Sequence, residues 1–251
     1  VEDIGADRAV KPKLAQLRAS SFYADMPRRR ILALGVQSPR RPGSLDRIYR
    51  TMQNSGRHEV VVDSKGVDGI GKLDNINLLV ERHDISQFDW IWMVDDDVEL
   101  PADFTDPFVA LSEYADLKIS SPAHRSFSYW SHDVTHRQRG MLVRQTNFVE
   151  VGPITAFHRD TFSSVFPLPS LRYGWGLDLV WPVIAERNGW KVGVVDGVAL
   201  RHTSPIAATY DVAAAGAEAE AYMAPYGVKT GVHKIVTIDR IASIDDRSPR
   251  G

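Results

Sequence analysis

Three aspartates in a row, Asp95-Asp96-Asp97, close the apolar run Trp90-Ile91-Trp92-Met93-Val94. Carboxylates crowded on one turn repel: two charges 4 Å apart at an effective dielectric of 20 cost about 4 kcal/mol. Water relieves that repulsion if the side chains splay apart. A divalent cation relieves it directly, and carboxylate oxygens suit hard cations such as Mg2+ or Mn2+. A solvated turn is the plainer reading of an acidic triplet. Here the setting favours the cation, because the run is unusually apolar and open α/β sheets bind ligands beyond the carboxyl ends of their strands.

The upstream elements must put the triplet there. Residues 31–36 are a compact apolar run that reads as a buried strand. After the loop Gln37-Ser38-Pro39-Arg40-Arg41-Pro42-Gly43, Ser44 is placed to cap a helix whose Leu45, Ile48, Tyr49 and Met52 fall on one face, and Gly56 can end it. Residues 59–63 read as a second strand. The turn from Gly66 to Gly71 leads into a second amphipathic helix carrying Leu73, Ile76, Leu79 and Val80, and residues 89–94 form a third strand. Strand, helix, strand, helix, strand over so short a stretch is the grammar of a parallel sheet with crossover helices.

Further along, residues 106–115 read as a helix, 117–121 and 148–151 as strands, and 159–165 as a short helix. Residues 123–140 are rich in His, Arg and aromatics without a regular period, as functional loops often are. Gly174-Trp175-Gly176-Leu177-Asp178 opens a helix with Leu177, Val180, Trp181 and Ile184 on one face and Pro182 near its first turn. Residues 191–196 read as a strand ending in a turn at Asp196, with His202 just beyond. Residues 209–224 read as a helix and the last residues as a frayed end.

Bulk properties narrow the classes. At 43% hydrophobic the 251 residues can bury a sizeable core, which argues against disorder. A net charge of −2 provides no general attraction to nucleic acid or anionic membrane. The absence of cysteine excludes disulfides, thiolate catalysis and zinc-cysteine sites. The opening VEDIGADRAVKPK lacks the apolar core of a signal peptide, and no run of about 18 apolar residues suggests a spanning helix.

Taken together these residues resemble the nucleotide-sugar glycosyltransferases of the GT-A fold, over roughly residues 31–205. Asp95-Asp96-Asp97 is similar to their DxD motif, Tyr173 to Asp178 to their WGxE/D segment, Gly152 to Phe157 to the strand beside the acceptor, and Leu200 to Pro205 to a late metal-binding histidine. The chain also resembles a group of plant and bacterial GT-A-like proteins. The resemblance implies an α/β fold with a mixed, mostly parallel sheet flanked by helices in a single domain. Residues 1–27 would be an N-terminal arm or helix, 28–101 the nucleotide-binding half, 102–238 the acceptor-binding half and 239–251 a tail.

By position the resemblance implies a Mn2+ or Mg2+ ion on Asp97 and His202. It puts Asp95 and Asp96 on the donor, and Gln37, Asp63 and Lys72 around the nucleotide. Asp178 becomes the catalytic base, with Trp175 and Trp130 facing the acceptor, beside Tyr129 and Arg125. The donor would be a nucleoside-diphosphate sugar, UDP-linked by preference. The acceptor would be the hydroxyl of a glycan, glycolipid or small molecule, in bacterial glycan or glycolipid synthesis, cytoplasmic or peripheral to the inner membrane. One departure stands out: many members have Glu-Asp where this chain has Leu177-Asp178, so a second acid is missing there. Asp178 can also simply cap its helix. Two other functions fit parts of the pattern: a non-catalytic nucleotide-sugar or glycan-binding module, and a phosphatase or phosphotransferase using Asp95 as nucleophile.

Overall fold

The computed structural model describes residues 2–205 and 211–245. In chain order the elements are α1 (Glu2–Ala19), α2 (Ser21–Asp25), β1 (Arg30–Gln37), α3 (Ser44–Gln53), β2 (Glu59–Gly66), α4 (Lys72–Val80), β3 (Trp90–Val94), β4 (Val98–Glu99) and α5 (Thr105–Tyr114). There follow β5 (Leu117–His124), β6 (Val143–Thr146), β7 (Ile154–His158), α6 (Phe162–Val165), α7 (Leu177–Arg187), β8 (Lys191–His202), α8 (Val212–Met223) and β9 (Thr237–Ile241).

One sheet runs in the order β2-β1-β3-β7-β5-β8-β6-β9, with β4 attached to β8. β1 pairs in parallel with β2 and β3, the expected crossover unit. β7 inserts antiparallel between β3 and β5, and β5 pairs in parallel with β8. The result is a mixed α/β sheet. Strand alternation sorts its two faces. Ile31, Ala33, Trp90, Trp92 and Val94 point into a core with α1, α3 and α5. Leu32, Leu34, Ile91 and Met93 point the other way, against α4, α6 and α7. β3 is buried along its whole length, as its continuous apolar run requires.

Several sequence expectations change. Residues 148–151 are irregular rather than a strand; the strand is β6, slightly earlier, hidden in the polar-looking Val143-Arg144-Gln145-Thr146. Arg144 is fully buried and makes a two-pronged bond to Asp196, at 2.7 and 2.9 Å. Asp196 therefore lies inside β8 instead of forming a turn, and β8 runs unbroken to His202. Ser44 does not cap α3: Gly43 stands at the cap and the Ser44 hydroxyl accepts from Gln37 Nε2. Pro182 falls in the second turn of α7. The segment read as a tail, 239–251, begins inside β9, which extends the sheet beyond β6; its residues 246–251, like 209–210 of the helix expected over 209–224, lie outside the described residues. Of the expected N-terminal arm or helix, Glu2–Ala19 and Ser21–Asp25 are helical, and α1 packs on the core through the buried Val10 and Leu17.

Candidate active site

The three aspartates leave β3 and splay in three directions. Asp95 donates its N–H to Pro153 O at 2.8 Å and pairs its carboxylate with Lys72, the first residue of α4. Gly152 lies beside this pair at φ +85°, where a Cβ would collide with the Asp95 carboxylate and stand 2.9 Å from Lys72 Nζ. Asp96 turns back into the loop after β1. It accepts from Ser38 N (2.6 Å), Gln37 Nε2 (3.0 Å) and Arg41 Nη1 (3.2 Å) and is buried. Burial raises its pKa against those donors. Asp97 turns toward the end of β8.

The two-residue ladder of β4 on β8 brings Asp97 and His202 together. It pairs Val98 with His202 and Glu99 with Arg201, and Thr203 N donates to Asp97 O at 2.9 Å. His202 Nε2 thereby comes to 3.1 Å from Asp97 Oδ1. Burial alone would raise the Asp97 pKa; the bonds from His202 and Ser204, with Arg41 nearby, hold it below the ordinary carboxylate value. One ligand atom each from Asp95, Asp97 and His202 lies within 4.8 Å of the others. Two carboxylates and an imidazole at that spacing fit a divalent cation.

A second cluster adjoins the first. Asp178 is in the first turn of α7, after Gly176 at φ +89°, whose hydrogen faces Met223 with no room for a side chain. Burial raises the Asp178 carboxyl to about 7; Glu150 adds to the rise and the backbone N–H groups of Leu179, Gly176 and Asp178 oppose it. Glu150 is a buried acid from the irregular segment before Gly152. It accepts from Ser131 N at 3.1 Å and lies 2.6 Å from His124 Nε2. Burial pushes Glu150 up, but His124 prevails and its pKa stays low. An ionised carboxylate only accepts, so the His124 Nε2 hydrogen points at it. His124 Nδ1 lies 2.8 Å from the Ser128 hydroxyl, and Ser128 Oγ accepts from His202 N at 2.8 Å. His202 Nδ1 donates to Tyr129 O at 3.1 Å, which leaves Nε2 facing Asp97. A hydrogen-bonded line thus runs from Glu150 through His124 and Ser128 to His202.

No protein-family model matches the chain, and no curated protein does. Solved structures do. TarS of S. aureus, residues 1–349, is similar at a TM-score of 0.50 and 9% identity, over 68% of this chain and 59% of that one. The fold is GT-A. Lower-scoring likenesses include the catalytic domain of Drosophila β1,4-galactosyltransferase 7 in complex with xylobiose (TM-score 0.44, 17% identity, 70% and 71% of the two chains). Another is a mannosyltransferase of Pyrobaculum calidifontis in complex with GDP-Man and Mn2+ (0.45, 13%, 74% and 65%).

Within the GT-A fold the other sequence-selected residues fall as follows. Gln37 organises the loop after β1: Nε2 reaches Arg41 O (2.6 Å) as well as Asp96, and Oε1 accepts from Leu45 N. Asp63 lies inside β2, with His83 Nε2 at 3.0 Å and Arg82 Nη1 at 3.3 Å from its carboxylate. Trp175 packs half-buried against the cluster of Phe148, Leu179 and Val180. Trp130 is exposed, its ring 5.9 Å from His136. Arg125 is held by Asp7 at 2.5 Å. Sequence reasoning missed Glu150, His124 and Arg41. A charged residue inside the apolar Phe148-Val149-Glu150-Val151 was the one available signal for the first.

Proposed function

We propose that this chain is a metal-dependent glycosyltransferase that moves a sugar from a nucleoside-diphosphate donor, UDP-linked by preference, to an acceptor hydroxyl with inversion. The observation that carries the reading is the β4–β8 ladder, which sets His202 against Asp97, with a ligand atom of Asp95 within 4.8 Å of both. Asp95, Asp97 and His202 would hold Mn2+ or Mg2+, and the bound cation supplies Lewis-acid stabilisation of the leaving diphosphate. The mixed donor set leans toward Mn2+. Residues 28–101 form the donor half and 102–238 the acceptor half.

Asp178 takes the proton from the acceptor hydroxyl as that oxygen attacks the anomeric carbon. With its pKa near 7 it is substantially ionised at neutral pH yet basic enough to be effective, a balance worth typically 10²–10⁴-fold in rate. Glu150, kept ionised by His124, is a second carboxylate near Asp178, in a chain that lacks the acid many members carry at position 177. Trp175 and the exposed Trp130 would line the acceptor side. The acceptor would be a glycan, glycolipid or small-molecule hydroxyl, consistent with bacterial glycan or glycolipid synthesis at the cytoplasmic face. Among the described residues no helix is long and apolar enough to cross a membrane.

The test is release of nucleoside diphosphate from a panel of UDP- and GDP-sugars with Mn2+ and with chelator. Activity should need the metal and vanish in Asp97→Ala. Full turnover in chelator, or in that variant, sinks the proposal. Tight donor binding without turnover across a broad acceptor panel would instead favour a binding module.

A further inference from the structure

Arg41 occupies a decisive position in the charge balance of the acidic turn. From the loop after β1 it reaches Asp96 Oδ1 (3.2 Å), Asp97 Oδ2 (3.6 Å) and the Ser204 hydroxyl, beyond the end of β8. Lys72 already holds Asp95, and His202 faces the other oxygen of Asp97. The protein's own cations therefore answer the three carboxylates.

These contacts differ in firmness. Asp96 is fixed by Ser38 N and Gln37 Nε2 in addition to Arg41. Arg41 Nη2 stands beyond hydrogen-bonding distance from Asp97, so that contact is Coulombic and cheap to open. The Arg41 side chain is over a third exposed. It borders a cavity of about 380 Å³ lined also by Arg47, Ile48, Thr51, Leu100 and Thr203, which offers the guanidinium room to withdraw.

We propose that Arg41 is the resident counter-ion of Asp97, displaced when a divalent cation binds at Asp95, Asp97 and His202. The proposal rests on the metal-dependent reading above and adds a competition to it. The side chain occupies charge that the ion needs, and so sets the ion's affinity. Arg41 remains anchored to Asp96 after displacement, which keeps its positive charge at the edge of the site.

The experiment is calorimetric titration of Mn2+ into the nucleotide-free wild type, Arg41→Ala and Arg41→Gln, with Asp97→Asn as the control for binding at this site. Arg41→Gln keeps a side chain able to bond Ser204 while losing the charge. Partly exposed ion pairs are worth up to about 1 kcal/mol, so both Arg41 variants should bind Mn2+ about two- to fivefold more tightly, with the gap narrowing in high salt. Melting temperatures near wild type confirm that the variants are folded. Equal or weaker Mn2+ binding by Arg41→Gln, with wild type binding normally, overturns the counter-ion role and leaves the metal reading intact. Absence of binding in wild type and both Arg41 variants overturns both.

Discussion

Replacing Asp178 by asparagine should stabilise the protein above neutral pH. In the unfolded chain an aspartate ionises near pH 4, whereas burial and Glu150 raise the folded Asp178 to about 7. Between those values the unfolded state releases a proton that the folded state retains. The native fold is thus favoured at low pH and loses stability as pH climbs through the folded pKa. At about 1.4 kcal/mol per unit, a rise of about three units costs about 4 kcal/mol by pH 8; partial solvent access screens this to about 2–4 kcal/mol. Asparagine carries no such cost, and its Oδ1 can still accept the backbone N–H groups at the start of α7. Denaturant melts of wild type and Asp178→Asn between pH 4 and 8.5 should coincide at the acid end and diverge with rising pH, the variant being the more stable. A gap independent of pH, or a variant less stable at pH 8, would refute the raised pKa. It would also remove the reason to expect that transfer falls away below pH 7 as Asp178 protonates.

Three other expectations are more local. Glu150→Gln removes the charge that helps raise Asp178, so the acid limb of the rate profile should move down by about one pH unit; an unmoved limb would make Glu150 a purely structural acid. Gly152→Ala puts a Cβ at φ +85° against the Asp95–Lys72 pair and should cost about 1–3 kcal/mol in unfolding and weaken donor binding measured by thermal shift; wild-type values for both would mean that the loop has slack. Asp196→Ala leaves Arg144 buried and unpaired and should cost about 3–5 kcal/mol, while the double change Arg144→Met with Asp196→Leu should recover most of it. Equal melts for Asp196→Ala and wild type would show that the pair is dispensable.

The first half of the fold was legible because its burial is apolar. β1, α3, α4 and β3 carry their faces as periodic hydrophobics, and nothing polar interrupts β3 until Asp95. The two-residue strand after the triplet could not be read, though it decides where His202 goes. In the second half β6 and the far part of β8 are hidden because their burial is polar. β6 passes for a loop until Arg144 finds Asp196, and β8 looks broken at Asp196 for the same reason. Of the candidate site, the meeting of Asp97 with His202 could be anticipated from motif order. Glu150 and Arg41 could not, since each acquires its partners only when separate loops close: residues 124–131 around Glu150, residues 38–43 around Asp96.

That polar burial has a physical consequence. An apolar core would hold β6 against β8 at least as firmly as Arg144 and Asp196 do, because desolvation consumes much of a buried pair's Coulomb energy. Directional bonds provide what apolar packing lacks, a fixed position for each carbonyl and N–H. Arg144 also ties Val134 O (2.6 Å) and His136 O (3.0 Å), and Arg137 joins Asp196 O to Asp7 of α1. These bonds brace the downstream stem of the loop whose Tyr129 O orients His202 and whose Ser131 N orients Glu150. The double variant separates the two roles: it should regain stability yet hold Mn2+ less tightly than wild type. If its metal affinity is unchanged, the buried charges do not position the site.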